Sequence, residues 1–392
     1  MTTVTLTEWT PQTLQLQHKQ AIALKTLHPR LDVRWDGPDT WTLTSNGVVG
    51  AARVAGINLV VRPHLPTGRV LWLLSYALKS PFVEPDAALT KDRSLLEVFA
   101  DMYLRSLRRA MRRGLQMGYR TVEESLMTVR GRVRMADQAR RHFGMVVPAE
   151  VLYDDYTADT DANRVLKGAL RRLSRMPLRN VALRRRIAAA AAAFATVSDV
   201  RFDPARLPTF TFTRLNEHYR SPLALAQIVL RSGSVDIDAG ETAVPGLLFD
   251  MWRVFQDFLF EALRPHMPSE HTWRAEARLS LDEGGHVLLK PDLSLWAEGR
   301  CLAVGDAKYK QTEQGREDDL YQLLAYCTAA GLPSGTLVYA DGPVNGVTHH
   351  VRHGGPDLEV IGIDLASAHD EIDLALKRIA SRLARSPLPL AA

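Results

Sequence analysis

The chain has 392 residues, 46% of them hydrophobic and 24% charged, a balance that suits folded domains and excludes a disordered or collagen-like polymer. Its two cysteines, Cys301 and Cys327, are too few for a disulfide framework or a four-thiolate zinc site, and no apolar run approaches the ~18 residues of a membrane span. The net charge of +5 is uneven, since residues 101–200 carry 20 basic and 10 acidic side chains whereas residues 201–392 carry 19 and 26.

Residues 1 to about 90 read as β-rich. Val4 and Leu6, Leu14 and Leu16, Val33 and Trp35, and Trp41 and Leu43 alternate, with turn clusters at residues 36–39 and 45–47. Residues 56–63 and 69–77 read as further strands. From 95 to 113 the apolar spacing is helical, with Gly114 as a stop. Residues 119–134 return to strand character, broken by Gly131, and place Arg130, Arg132 and Arg134 on one face. Helices follow at 163–175 and 183–197, the second built around the alanines 188–193 and expected to be close-packed. A helix at 223–231 leads to the turn-rich 232–245, read as a domain boundary. Beyond it come a helix (247–263), strands (272–281, 286–296, 301–309), a helix (318–330), strands (335–339, 358–363) and a final helix (366–384). The expected organisation is a β-rich N-terminal domain over 1–155, a helical connector over 156–240 and an α/β domain over 241–392.

The basic middle points to a polyanion partner, because clustered arginines release counterions from a phosphate backbone. An acidic C-terminal part is out of place beside such a partner unless some of its acids hold metal. Pro291-Asp292 is followed, after thirteen residues, by Asp306-Ala307-Lys308. A two-residue period puts Asp306 and Lys308 on one face, and a hairpin through residues 297–300 would bring Asp292 to Asp306. Two carboxylates, the Ala307 carbonyl and water make a suitable Mg2+ (or Mn2+) site, with Lys308 placed to orient a water or stabilise phosphorane charge. The blander reading is a pair of strand-end acids with a lysine partner. It has to explain charge set within the apolar runs around Leu293, Leu295 and Val304. His349, His350 and His353 read as loop histidines, since neighbours on a strand face opposite ways and chelate poorly.

The P-D … D-A-K arrangement resembles the PD-(D/E)xK nuclease motif, and Gln322-Leu-Leu-Ala-Tyr326 resembles the Q-x-x-x-Y helix of its RecB-like branch. Together with GLLFDMWRVFQDFLFEAL (residues 246–263), DTDANRVLKGALRRL (159–173) and RGRVRM (130–135), these segments resemble the McrC family, the nuclease subunits of modification-dependent McrBC restriction systems. The resemblance implies a restriction-endonuclease-like C-terminal domain with a mixed sheet flanked by helices, and Mg2+-dependent hydrolysis of modified double-stranded DNA; the expected location, the cytoplasm, follows separately from an N-terminal stretch with no basic start or apolar core and from the low cysteine count. Asp292, Asp306 and Lys308, with Gln322 and Tyr326, would carry the catalysis. It implies an McrB-like AAA+ NTPase hexamer as partner, a role this chain cannot fill itself because it has nothing like a G-x-x-x-x-G-K-[ST] loop. Arg130, Arg132, Arg134, Arg140 and Arg141 are the candidates for a projecting element that meets that partner or DNA. Many members carry Phe-Glu where Phe255-Gln256 stands here, so Asp257 or Glu261 becomes a candidate to supplement the metal site. Two other functions fit the same sequence: an activator of the AAA+ partner with a degenerate nuclease, and a standalone RecB-like exonuclease.

Overall fold

In a computed structural model, which describes residues 2–77, 94–204, 206–231, 246–311 and 314–384, the chain divides into two compact units. One joins residues 1–95 to residues 248–392, and the other is residues 96–247. The boundaries expected at 155 and 240 do not coincide with this division. The N-terminal strands fold with the C-terminal α/β region, and the turn-rich 232–245 lies outside the described residues.

The first unit opens with β1 (Thr2–Thr7), β2 (Gln12–Gln15), α1 (His18–Lys25), β3 (Leu31–Gly37), β4 (Thr40–Ser45), β5 (Val48–Val54) and β6 (Ile57–Arg62). The alternating residues seen in the sequence form strands, except Leu16, which lies just past the end of β2; β2, β4 and β3 make one sheet and β1, β6 and β5 belong to another. Residues 69–77, expected as a strand, lie instead in helix α2 (Thr67–Ala77). Val70, Leu71, Leu73 and Leu74 are all buried, a 3.6-residue pattern that a short apolar run does not distinguish from a buried strand. Pro66 starts the helix, its carbonyl accepting from the amides of Arg69 and Val70.

The second unit contains α3 (Leu95–Ala110), β7 (Gly118–Leu126), β8 (Arg132–Val133), α4 (Met135–His142), β9 (Ala149–Thr157), α5 (Asp161–Arg175), α6 (Val181–Ala192) and α7 (Arg220–Arg231). The strand expected over 119–134 ends at Leu126, and Arg140 and Arg141 are helical. Gly131 turns the chain at φ +71°, where a Cβ would stand 2.5 Å from the Leu152 carbonyl oxygen. The DTDANR segment is a structural staple. Asp159 accepts from Arg120, from Arg164 and from the Ser198 amide and hydroxyl, and these bonds, Arg164 foremost, hold its carboxyl far below the usual range. Thr160 caps α5 by accepting from the Asn163 amide, and the fully buried Asn163 donates to the carbonyls of Gln116 and Ala158 at 2.9 and 2.7 Å. The alanine-rich helix is not close-packed, for Ala188, Ala189, Ala192 and Ala193 are exposed.

The chain returns to the first unit through β10 (Gly246–Asp250), which joins the β1-β6-β5 sheet, and enters α8 (Met251–Leu263). The expected helix start at 247 is too early, since Asp250 caps the helix by accepting from the Trp252 amide at 3.0 Å. There follow β11 (Thr272–Arg274), β12 (Leu279–Ser280), β13 (Leu288–Leu289), β14 (Leu293–Ala297), β15 (Arg300–Gln311), α9 (Glu317–Ala330), β16 (Ser334–Asp341), β17 (Val347–His350), β18 (Asp357–Gly362) and α10 (His369–Ala384). The expected strand over 272–281 is two short strands, and β17 has no counterpart among the expected elements. The sheet order is β11-β14-β15-β16-β18-β17, with β14/β15 antiparallel and β15/β16/β18 parallel, so the sheet is mixed. The rings of Trp72 on α2 and Phe258 on α8 lie 5.1 Å apart, and Arg69 donates to the Ser367 carbonyl at 2.6 Å, tying the N-terminal segment to the C-terminal one. Among the described residues no helix is long and apolar enough to cross a membrane.

Candidate active site

The turn between β14 and β15 has Glu298 at φ +49° and Gly299 at φ +81°, the left-handed pair that suits a two-residue hairpin and sets Ala297 opposite Arg300 and Trp296 opposite Cys301. A β-bulge between Leu295 and Trp296 then shifts the pairing by one residue, so that Leu293 stands opposite Gly305 and Asp292 comes beside Asp306 where the unshifted register would put it beside Gly305. The Ala307 amide donates to Asp292 Oδ2 at 2.9 Å, and the Asp292 amide approaches Asp306 Oδ1 at 3.4 Å. One turn of the strand pleat further along, Lys308 Nζ sits 2.5 Å from Asp306 Oδ2 and donates to Gln322 Oε1 at 2.7 Å. The Gln322 amide donates to the Tyr326 hydroxyl at 2.7 Å, which in turn donates to the Lys290 carbonyl at 3.2 Å. The five residues singled out in the sequence thus form one connected cluster.

Asp306 is 2% and Lys308 8% exposed, so the cluster is largely dry. Burial, then the neighbouring Asp306 charge, pushes the Asp292 carboxyl up to about 7. Burial also raises Asp306, against the opposing pull of Lys308. For Lys308 burial works toward neutrality, but the charges of Asp306, Asp319 and Asp292 prevail and hold its ammonium above the ordinary lysine range. Two adjacent buried carboxylates that repel each other this strongly are a site at which a cation would be stabilised. Hard oxygen donors fit Mg2+, which binds through one or two carboxylates and retains water.

The cleft over this cluster has a volume of about 380 Å³ and is rimmed by Arg30, Arg253 and Lys290. Arg30 stacks 4.6 Å over the Trp252 ring and pairs with Asp250 at 3.2 Å. Gln256 also lines the cleft and donates to Glu276 at 3.3 Å. Asp257 and Glu261 do not line it: Asp257 pairs with Arg253 and Glu261 with Arg264, each at 3.2 Å. Among the described residues no three His, Cys, Asp or Glu side chains are placed to hold one metal ion together, so neither acid joins the Asp292–Asp306 pair as a third ligand.

Asp319 is a member of the site that the sequence pattern does not reveal, because an acid in the first turn of a helix looks like dipole complement. It is buried, lies 3.5 Å from Lys308 Nζ, accepts from Lys310 at 2.6 Å and from the Tyr339 hydroxyl at 2.5 Å. With Asp306 it gives the Lys308 ammonium a second carboxylate.

The arginine candidates lie in the second unit, on the β7-β9-β8 sheet and α4. Arg130 pairs with Asp155 and stacks on Tyr153, Arg134 pairs with Glu123 and Asp137, and Arg141 pairs with Glu150, while Arg132 and Arg140 are exposed. The spacing of residues does not foretell the apolar exposure around them, where Phe143 is 91% and Tyr119 79% exposed, with Met127, Met135 and Val146 also open. These large apolar side chains lie exposed on one small sheet, its helix and the turns beside them.

Residues 43–340 match the family described as McrBC 5-methylcytosine restriction system component. A curated relative, the type IV methyl-directed restriction enzyme EcoKMcrBC of Escherichia coli K12, is 21% identical over 334 residues, covering 78% of this chain and 94% of that protein. A chain in the Thermococcus gammatolerans assembly of McrB AAA+ hexamers with bound McrC has the same fold, with a TM-score of 0.64 at 20% identity over 97% of this chain and all of that one.

Proposed function

The chain belongs to the McrBC family of restriction-system components, and on that premise we propose that it is the DNA-cleaving subunit, hydrolysing phosphodiesters of 5-methylcytosine-containing DNA with Mg2+ and driven by an McrB-like AAA+ NTPase. The observation that carries the reading is the convergence of Asp292, Asp306 and Lys308 in one buried cluster under a cation-rimmed cleft. Asp292 and Asp306, with the Ala307 carbonyl, would hold the metal, which would supply Lewis-acid stabilisation of phosphate charge and a more acidic bound water.

The chain's own groups prepare the rest. Arg30, Arg253 and Lys290 favour entry of a phosphodiester into the cleft. Gln322 and Asp319 hold the Lys308 ammonium in place, and Tyr326 anchors Gln322 to the β13–β14 connection. Lys308, kept protonated, would donate to the non-bridging oxygens as charge builds on them. Gln256, a neutral side chain at the rim, would position rather than ligate. The exposed apolar surface around Phe143 and Met135 would seat the AAA+ partner.

The test is cleavage of methylated plasmid by the chain with its AAA+ partner, NTP and Mg2+. Asp306→Asn should abolish cutting while NTP hydrolysis by the partner is still stimulated. Wild-type cutting by this variant would refute the assignment.

A further inference from the structure

The second unit has a groove between α3, with the 3-10 turn Met111–Arg113 that extends it, and α6; it is about 420 Å³ in volume and has no part in the cleavage site. Its floor is Leu104, Leu107 and Met111 on one side and Ala189 and Ala190 on the other, with Arg108, Arg112 and Arg186 at its rim. Arg185 stands one turn before Ala189, on the same stripe of α6. Arg109 and Arg113 continue the basic surface next to Arg108 and Arg112.

Most of the charges here are uncompensated. Arg105 and Arg186 both pair with Asp101, at 2.9 and 2.5 Å. Among the described residues, the side chains of Arg108, Arg109, Arg112, Arg113, Arg184 and Arg185 have neither ion pair nor hydrogen bond. Holding like charges at successive helical turns is unfavourable unless a counter-charge arrives, and no acid among the described residues supplies it. Arg108 and Arg112 are separated by about 6 Å along the helix axis at 1.5 Å per residue. That separation spans nearly two of the axial steps of about 3.4 Å between charges on one nucleic-acid strand, so the two guanidinium groups can meet different phosphates of one backbone. The exposed alanines of α6 matter for the same reason, because methyl groups beside guanidinium forks let a backbone approach closely without supplying a competing acceptor.

We infer that the α3–α6 groove binds the phosphate backbone of DNA, independently of sequence and of methylation, as a site separate from the Asp292–Asp306 cluster. The inference rests on the DNA-cleavage reading for its choice of polyanion, and its test is read without metal so that the two fail separately.

The measurement is fluorescence anisotropy of a 20-base-pair unmethylated duplex with the full chain in EDTA, from about 50 to 300 mM salt. Arg108→Gln/Arg112→Gln/Arg185→Gln should weaken binding at least tenfold at the lowest salt and flatten the log K against log[salt] slope by about 0.9 for each phosphate no longer neutralised. Arg108→Lys/Arg112→Lys/Arg185→Lys should keep the slope, which separates charge from packing. Arg352→Gln, at an exposed arginine outside both the groove and the cleft, should bind like wild type. Equal affinity and slope for wild type and the glutamine variant overturn the inference. So does a glutamine variant that binds DNA normally yet no longer associates with the AAA+ partner, which would assign the groove to an acidic protein segment. If the glutamine variant loses its helical circular dichroism, the single Arg112→Gln variant is read instead, with a slope change of about 0.9 expected and no change refuting.

Discussion

Asp292→Asn should make the metal-free protein more stable and inactive at once. Asp292 is pushed from 3.8 up to about 7 by burial and by Asp306, so the folded state holds its proton where the unfolded chain has lost it. A raised carboxyl stabilises the fold relative to its ionised form at low pH. That advantage is lost progressively as pH rises from about 4 through 7, and above 7 ionisation carries its full cost. The shift corresponds to at most about 4 kcal/mol, at about 1.4 kcal/mol for each pH unit, and water entering the cleft lowers it to about half. Asparagine keeps an oxygen to accept the Ala307 amide and adds an N–H that faces Asp306, so the local bonding survives while the repulsion disappears. Thermal or urea unfolding in EDTA should show the variant above wild type by about 2–4 kcal/mol at pH 8, with the two curves meeting near pH 4. Millimolar Mg2+ should stabilise wild type only, by mass action on the folded state. A variant less stable than wild type at pH 8, or a difference that ignores pH, would falsify the account of the site as a strained carboxylate pair.

Tyr326→Phe removes the hydroxyl that accepts from Gln322 and donates to the Lys290 carbonyl, and should cost about 1–2 kcal/mol in urea unfolding. Because Gln322 is then free to leave Lys308, kcat for cleavage should fall about five- to tenfold with KM little changed, as read from initial rates. In the second unit, Asn163→Ala leaves the buried carbonyls of Gln116 and Ala158 without their donor and should cost about 2–4 kcal/mol, visible as a lower denaturation midpoint. An unchanged midpoint would show that this staple is not what joins β9 to α5.

The sequence alone determined the local parts of this protein. The alternation of Val33 with Trp35 and Trp41 with Leu43 specified strands, and the hairpin turn at Glu298-Gly299 specified that β14 pairs with β15, whereas the one-residue bulge that sets Asp292 against Asp306 showed only in the fold. Both are short-range effects, one of side-chain period and one of backbone conformation, and they need no distant partner. The grouping of Asp292, Asp306, Lys308, Gln322 and Tyr326 was legible because they lie within 35 residues of each other on a strand pair and the helix that follows. Tertiary structure decided what depends on distant segments. Helix α2 looked like a strand because an apolar run buried against α8 shows no polar face to reveal its period. The joining of residues 1–95 to the C-terminal region is a matter of packing between segments more than 150 residues apart, on which no local spacing bears. Asp319 became part of the site only when β15 and β16 brought Lys308, Lys310 and Tyr339 around it, and the alanines of α6 proved exposed because alanine records helix preference and says nothing about what, if anything, covers it.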